Sequence, residues 1–200
     1  MSLTKSAADG RIKRGERNKE AIVGALYELI RQGQIQPAIE EIAAKAGVGT
    51  RTVFRQFANI DDLYRSLAVR IRGEVMRLVD VTPPSGKLEA DVRALIARRA
   101  RVFEYITPFR RAGRLVSHQS AFLREEQLAG AKLFRAAIEA NLGPHLDVLG
   151  ASQRADMLET LDVLLSFEAW DRLRDQQNLS SKRACEVLVN ATLQLVSSAP

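Results

Sequence analysis

A glycine between two short amphipathic runs is the strongest constraint on this chain. The stretch Pro37 to Leu63 reads PAIEEIAAKAGVGTRTVFRQFANIDDL. Its first run, Pro37 to Lys45, opens with a proline, whose missing N–H is no loss in a first helical turn. Glu40 and Glu41 follow where the positive end of the helix dipole favours acids. Ile39, Ile42, Ala43 and Ala46 recur at spacings of three and four, so one face is apolar. Gly47 supplies the backbone freedom for a sharp turn, and Val48 can return to the core behind it. The pattern predicts a helix-turn-helix.

The second run, Thr50 to Phe57, sorts by angle. At about 100° per residue, Val53 and Phe57 fall on one side, with Phe54 and Thr50 at its flanks. The other side gathers Arg51, Thr52, Arg55 and Gln56, donors suited to phosphates and base edges, with no acid among them. A surface helix of any small domain can expose such residues. The glycine turn before it and a basic segment upstream favour a nucleic-acid-reading surface.

Total charge decides little. The chain carries +6, but residues 1–66 hold 11 basic and 8 acidic side chains and residues 67–200 hold 19 and 16, so the excess is shared equally. Hydrophobic residues at 46% and charged residues at 27% describe a globular chain with a real core rather than a disordered one. The single cysteine, Cys185, excludes an intrachain disulfide and fits a reducing compartment. With no apolar run of membrane-spanning length and no signal-peptide core, a cytoplasmic location is expected.

Taken in order, the first residues read as a polar N-terminus leading to a flexible basic arm, Arg11, Lys13 and Arg14, of the kind that enters a minor groove or binds phosphate. A helix is expected from Glu16 to Gln32, with Ala21, Ile22, Ala25, Leu26, Leu29 and Ile30 as its stripe and Gly33 as its stop. Asn59 should cap a fourth helix, with Asp61 and Asp62 in its first turn, running to about residue 81. Thr82-Pro83-Pro84-Ser85-Gly86 cannot continue a helix and marks a domain boundary.

Beyond it the periodicity is helical throughout. Helices are expected over Lys87 to Tyr105, then from Pro108, capped by Thr107, to about Ser117. Ser120 to Leu142 should form another, ended by Gly143-Pro144. Ser152 should cap a long helix to about Gln177, and Ser180 the last, ending near Ser197. The last two are apolar on more than one side, which predicts a second copy of the chain as partner, with Leu161, Leu165, Leu188, Ala191 and Leu195 at a four-helix dimer interface.

The segment Ile39 to Leu63 closely resembles the DNA-binding domain of the tetracycline-repressor (TetR) family of bacterial regulators. The likeness rests on Ile42-Ala43, Ala46-Gly47-Val48, Thr52-Val53-Phe54, Phe57 and Asp61-Asp62-Leu63, in that order and spacing. It covers roughly the first 65 residues; the rest agrees only in helical character and length. The resemblance implies an all-α chain: a three-helix helix-turn-helix domain over 1–66, joined by the long fourth helix to a helical effector-binding and dimerisation domain over 82–200. It further implies a homodimer on a near-palindromic double-stranded DNA operator, with Thr50, Arg51 and Thr52 reading bases or gripping phosphates and Gln56 contacting phosphate. Phe54 stands where the family often has a phosphate-binding Tyr, Ile60 where it often has Lys, and Gly49 where a Ser cap is usual. Arg51, Arg55 and the basic arm are then expected to carry more of the electrostatic grip.

Nothing in the sequence supports catalysis, a cofactor or a metal. There is no phosphate-cradling glycine loop, no Cys/His zinc spacing, and His118 and His145 stand far apart in sequence. A pocket for an unidentified small effector, mostly apolar, would draw on Phe103, Phe109, Phe122, Phe134, Met157, Phe167 and Trp170, with His118 as a polar candidate. The expected function is a transcriptional regulator, a repressor released by a small hydrophobic ligand. The alternatives are a DNA-binding regulator without such an effector, and a helical carrier or enzyme with an incidental helix-turn-helix.

Overall fold

The computed structural model describes residues 3–79, 83–117 and 120–198; the side chains of residues 3–12, 116 and 117 lie outside that description. Among the described residues every regular element is helical, so the chain is all-α. By compactness it divides into two units, Met1–Gly73 with Pro108–Glu126, and Glu74–Thr107 with Gln127–Pro200.

The first unit is built on α1 (Leu3–Arg31), against which α2 (Ile39–Ala46) and α3 (Thr50–Gln56) pack. Ile22, Leu26, Ile30, Ile42, Val53 and Phe57 are all buried, joined by Leu63 and Leu67 from α4 (Ile60–Leu78). Each such side chain contributes about 1.5–3 kcal/mol on leaving water, which holds together helices too short to persist alone. The second helix of the motif ends at Gln56, with Phe57 as its C-cap. Asn59 caps α4 as expected, its Oδ1 accepting from the Asp62 amide at 2.9 Å.

Two local expectations are corrected in this unit. The helix α1 begins at Leu3, so Arg11, Lys13 and Arg14 lie on a helix rather than in a flexible arm; the Ala-, Arg-, Lys- and Glu-rich sequence around them has high helix propensity. Pro37 precedes the N-cap of α2 instead of occupying its first turn; Ala38 is the cap, and its amide donates to Glu41 Oε2 at 2.8 Å. Segment 108–126 packs with the first unit, where Phe109 stacks on Tyr27 (centroids 5.1 Å apart) and Arg65 lies 4.1 Å over the Phe122 ring.

The second unit takes α5 (Leu88–Ser117) as far as Thr107, α6 (Ala121–Leu142) from Gln127 onward, a 3-10 turn (Gly143–Leu146), α7 (Ala151–Leu164), α8 (Phe167–Asp171) and α9 (Ser181–Ser197). Val92, Leu95, Ile96, Phe103, Ile138, Leu142, Leu161, Leu165, Trp170 and Leu188 form its core. Helix α5 runs unbroken through Pro108, where two helices were expected. Pro108 removes one ladder hydrogen bond, Thr107 Oγ1 donates to Phe103 O at 2.6 Å, and burial of Phe103 and Phe109 on either side sustains the helix. Gly150, not Ser152, caps α7. The expected long helix to Gln177 is interrupted at Leu165-Ser166: Ser166 Oγ accepts from the Ala169 amide at 3.1 Å and starts α8, which leads into a π turn over Arg172–Gln176. Ser180 caps α9 as expected, and Ser120, expected inside α6, caps it instead.

Candidate functional site

The turn between α2 and α3 follows from one backbone angle. Gly47 ends α2 at φ 66°, ψ 31°, a left-handed conformation in which a Cβ would crowd the carbonyl. Its amide donates to Ala44 O (3.1 Å) and that of Val48 to Ala43 O (3.0 Å), so the last carbonyls of α2 are satisfied while the chain reverses. Gly49 then caps α3 through its backbone alone, its carbonyl accepting from Thr52 at 2.8 Å.

Within α3 the buried and exposed sides divide cleanly. Val53 is buried and Phe57 follows it into the core, while Arg51 and Arg55 are exposed and Thr50, Thr52 and Gln56 half-exposed. Among the described residues no acid forms an ion pair with Arg51 or Arg55, which leaves two guanidinium groups for an external anion. Phe54 is 65% exposed, further out than the flank position expected of it. Lys13 and Arg14 are exposed on α1, and a Cβ placed on Gly15 would stand 3.8 Å from Gln56 Nε2. The basic turn of α1 therefore adjoins the end of α3. The Arg11 side chain lies outside the described residues.

The aromatic residues expected at an effector pocket separate into two groups. Phe109 and Phe122 belong to the first unit and are occupied by Tyr27 and Arg65. In the second unit Phe103 is a hub, with ring centroids 5.0 Å from Phe134, 5.6 Å from Phe167 and 6.2 Å from Trp170. His118 lies outside the described residues. Of the residues expected at a partner interface, Leu161, Leu165 and Leu188 are buried in the chain's own core. Ala191 and Leu195 remain half-exposed on α9, and Val163 is exposed on α7.

Two buried polar groups were missed from the sequence. Arg99 on α5 is 5% exposed, its Nη1 donating to Leu165 O at 2.5 Å and its Nη2 to Phe134 O. The signal was present, because Arg99 falls three residues after Ile96 and four before Phe103 on the apolar stripe. Asp91, also buried, accepts from the Ser85 amide (2.6 Å), Ser85 Oγ (2.8 Å) and the Gly86 amide (3.1 Å), and lies 2.8 Å from His145 Nε2. Burial pushes its carboxyl up, but the hydrogen bonds from Ser85, His145 and Gly86 outweigh that and hold it at about 2. This cluster fastens the segment before α5 to the 3-10 turn.

The fold is shared with known regulators. A TetR-family transcriptional regulator from Streptomyces coelicolor superimposes with a TM-score of 0.68 at 16% identity, over 90% of this chain and 80% of that one. A transcriptional regulator from Rhodococcus sp. Rha1 gives a TM-score of 0.64 at 17% identity, over 91% and 99%. No family model and no curated protein matches the sequence. The chain thus has the fold of TetR-type transcriptional regulators.

Proposed function

We propose that this chain is a sequence-specific DNA-binding transcriptional regulator of the TetR type, a homodimeric repressor released by a small, mainly apolar ligand. The observation that carries the reading is α3, which buries Val53 toward α2 while presenting Arg51, Arg55 and Phe54 outward beside the basic turn of α1. In this reading residues 1–66 are the reading head and 82–200 the effector and dimerisation domain. Arg51 and Thr52 contact base edges and phosphates in a major groove, Arg55 and Gln56 grip the backbone, and Lys13 and Arg14 extend the basic surface. Phe54 offers an apolar contact, as to a thymine methyl, in place of a phosphate bond.

Two heads must fall on successive major grooves, about 34 Å apart. The dimer uses the α7 and α9 surfaces around Val163, Ala191 and Leu195. Helix α4 leaves the head and ends in the second unit, so an effector that binds better to one arrangement of α4 shifts the population away from the DNA-matched spacing. Footprinting of the purified protein on its own genome tests the reading. A discrete near-palindromic site, bound with an affinity that falls steeply with salt, is expected; the absence of any preferred site would refute it. Sedimentation should show a dimer that Leu195→Glu weakens.

A further inference from the structure

Among the described residues of the second unit, three side-chain atoms are buried without a hydrogen-bond partner: Arg99 Nε, Trp170 Nε1 and Thr192 Oγ1. Two of them are obligate donors, and both belong to one aromatic group. The Arg99 guanidinium lies 5.3 Å from the Phe134 ring, Phe134 packs on Phe103, and Phe103 on Trp170. A buried N–H without an acceptor costs about 1–3 kcal/mol, and native cores retain few of them.

The charge is the more informative part. Arg99 caps the last carbonyl of α7 at Leu165 and takes Phe134 O, yet an amide side chain could make comparable bonds without bringing a cation into an apolar core. Among the described residues no acid pairs with it. Asp162 acts on it only from a distance and is itself 3.7 Å from Arg135. Burial lowers the Arg99 pKa to about 10, a shift that Asp162 only partly opposes. A buried cation with no ion-pair partner among the described residues and a spare N–H, beside the Phe134 ring, fits an anion carried on an apolar body.

We propose that the effector is a small carboxylic acid with an aliphatic or aromatic body, its carboxylate held by the Nε–H of Arg99 and its body lying along Phe103 and Phe134 toward Trp170, whose Nε1–H donates to a ligand oxygen. This rests on reading the second unit as an effector domain and names the chemistry it selects. Guanidinium supplies the planar, charged donor edge that carboxylates favour.

Trp170 is the chain's single tryptophan, so its fluorescence reports directly on the site. The full chain is titrated with octanoate, phenylacetate and phenylpropionate, and in parallel with the matching primary amides, which are neutral and nearly the same shape. At least one acid should change the emission saturably and bind about tenfold or more tighter than its amide. Arg99→Gln should erase that preference. A purely structural arginine would instead lower the melting temperature and leave any acid-over-amide preference intact. Equal binding of acid and amide, persistence of the preference in Arg99→Gln, or no response to any acid at millimolar concentration overturns the assignment. The wild-type comparison of acid with amide stands even if the variant fails to fold. Operator binding measured on the same samples separates the two readings. Intact DNA binding without acid binding removes this site alone, and acid-selective binding without DNA binding removes the regulator reading alone.

Discussion

Arg51 and Arg55 stand exposed on α3, whereas Arg99 on α5 is enclosed and fixed by the carbonyls of Leu165 and Phe134. The neighbouring aromatic residues divide the same way. Phe54 faces water beside the exposed arginines, and Phe103 is fully buried beside the enclosed one. In the first unit the apolar stripe is uninterrupted and the chemistry faces out. In the second, a charged group, Arg99, replaces an apolar residue on the stripe and is itself buried. A surface that meets a polyanion can keep its cations hydrated until contact, while a site for a small ligand must already be dry.

Substitutions at matched positions test that contrast. Phe103→Ala should remove about 3–5 kcal/mol of stability by opening a cavity among three aromatic neighbours, measured by chemical denaturation. Phe54→Ala should move the same midpoint by no more than about 0.5 kcal/mol; a larger loss would place Phe54 in the core. Next in size, Arg51→Ala should weaken operator binding by about 1–3 kcal/mol and relax specificity. Arg55→Ala should weaken all sequences alike and reduce the salt slope by about 1. Unchanged affinity in both would remove α3 from the interface.

Smaller effects are expected where backbone or solvation alone is at stake. Gly47→Ala should cost about 1–2 kcal/mol, because the left-handed turn stays but acquires a Cβ. For Asp91 the folded carboxyl, at about 2, lies below its ordinary 3.8. Its contribution to stability is therefore complete above about pH 4 and fades as pH falls toward about 2. Asp91→Asn should flatten that part of the acid-denaturation profile, and a profile identical to wild type would mean the cluster at Ser85 and His145 does not bear on folding.

What could be foreseen from the sequence follows the range of the forces involved. Gly47, the Ile39-Ile42-Ala43 spacing and the Asn59 cap act within a turn or two, and the structure repeats them. The inward side of α3 was equally legible, although the exposure of Phe54 was not. The break at Leu165-Ser166 was hidden because the group that takes the Leu165 carbonyl, Arg99, lies 66 residues earlier. Pro108 misled in the opposite sense: a strong local stop signal was overridden by packing on both sides of it. The burial of Leu161, Leu165 and Leu188 in the chain's own core was not legible, because periodicity reports that a residue is apolar, not which surface covers it.

The exposed ring of Phe54 carries a thermal consequence. An aromatic side chain kept in water holds a hydration shell, and covering it against DNA releases that shell with a loss of heat capacity. Operator association measured by calorimetry at several temperatures should therefore show an enthalpy that grows more favourable on warming, less steeply in Phe54→Ala than in the wild type. A contact made only through phosphates would leave the two slopes the same. Temperature, rather than salt, is the variable that would separate the apolar share of the proposed operator contact from the ionic one.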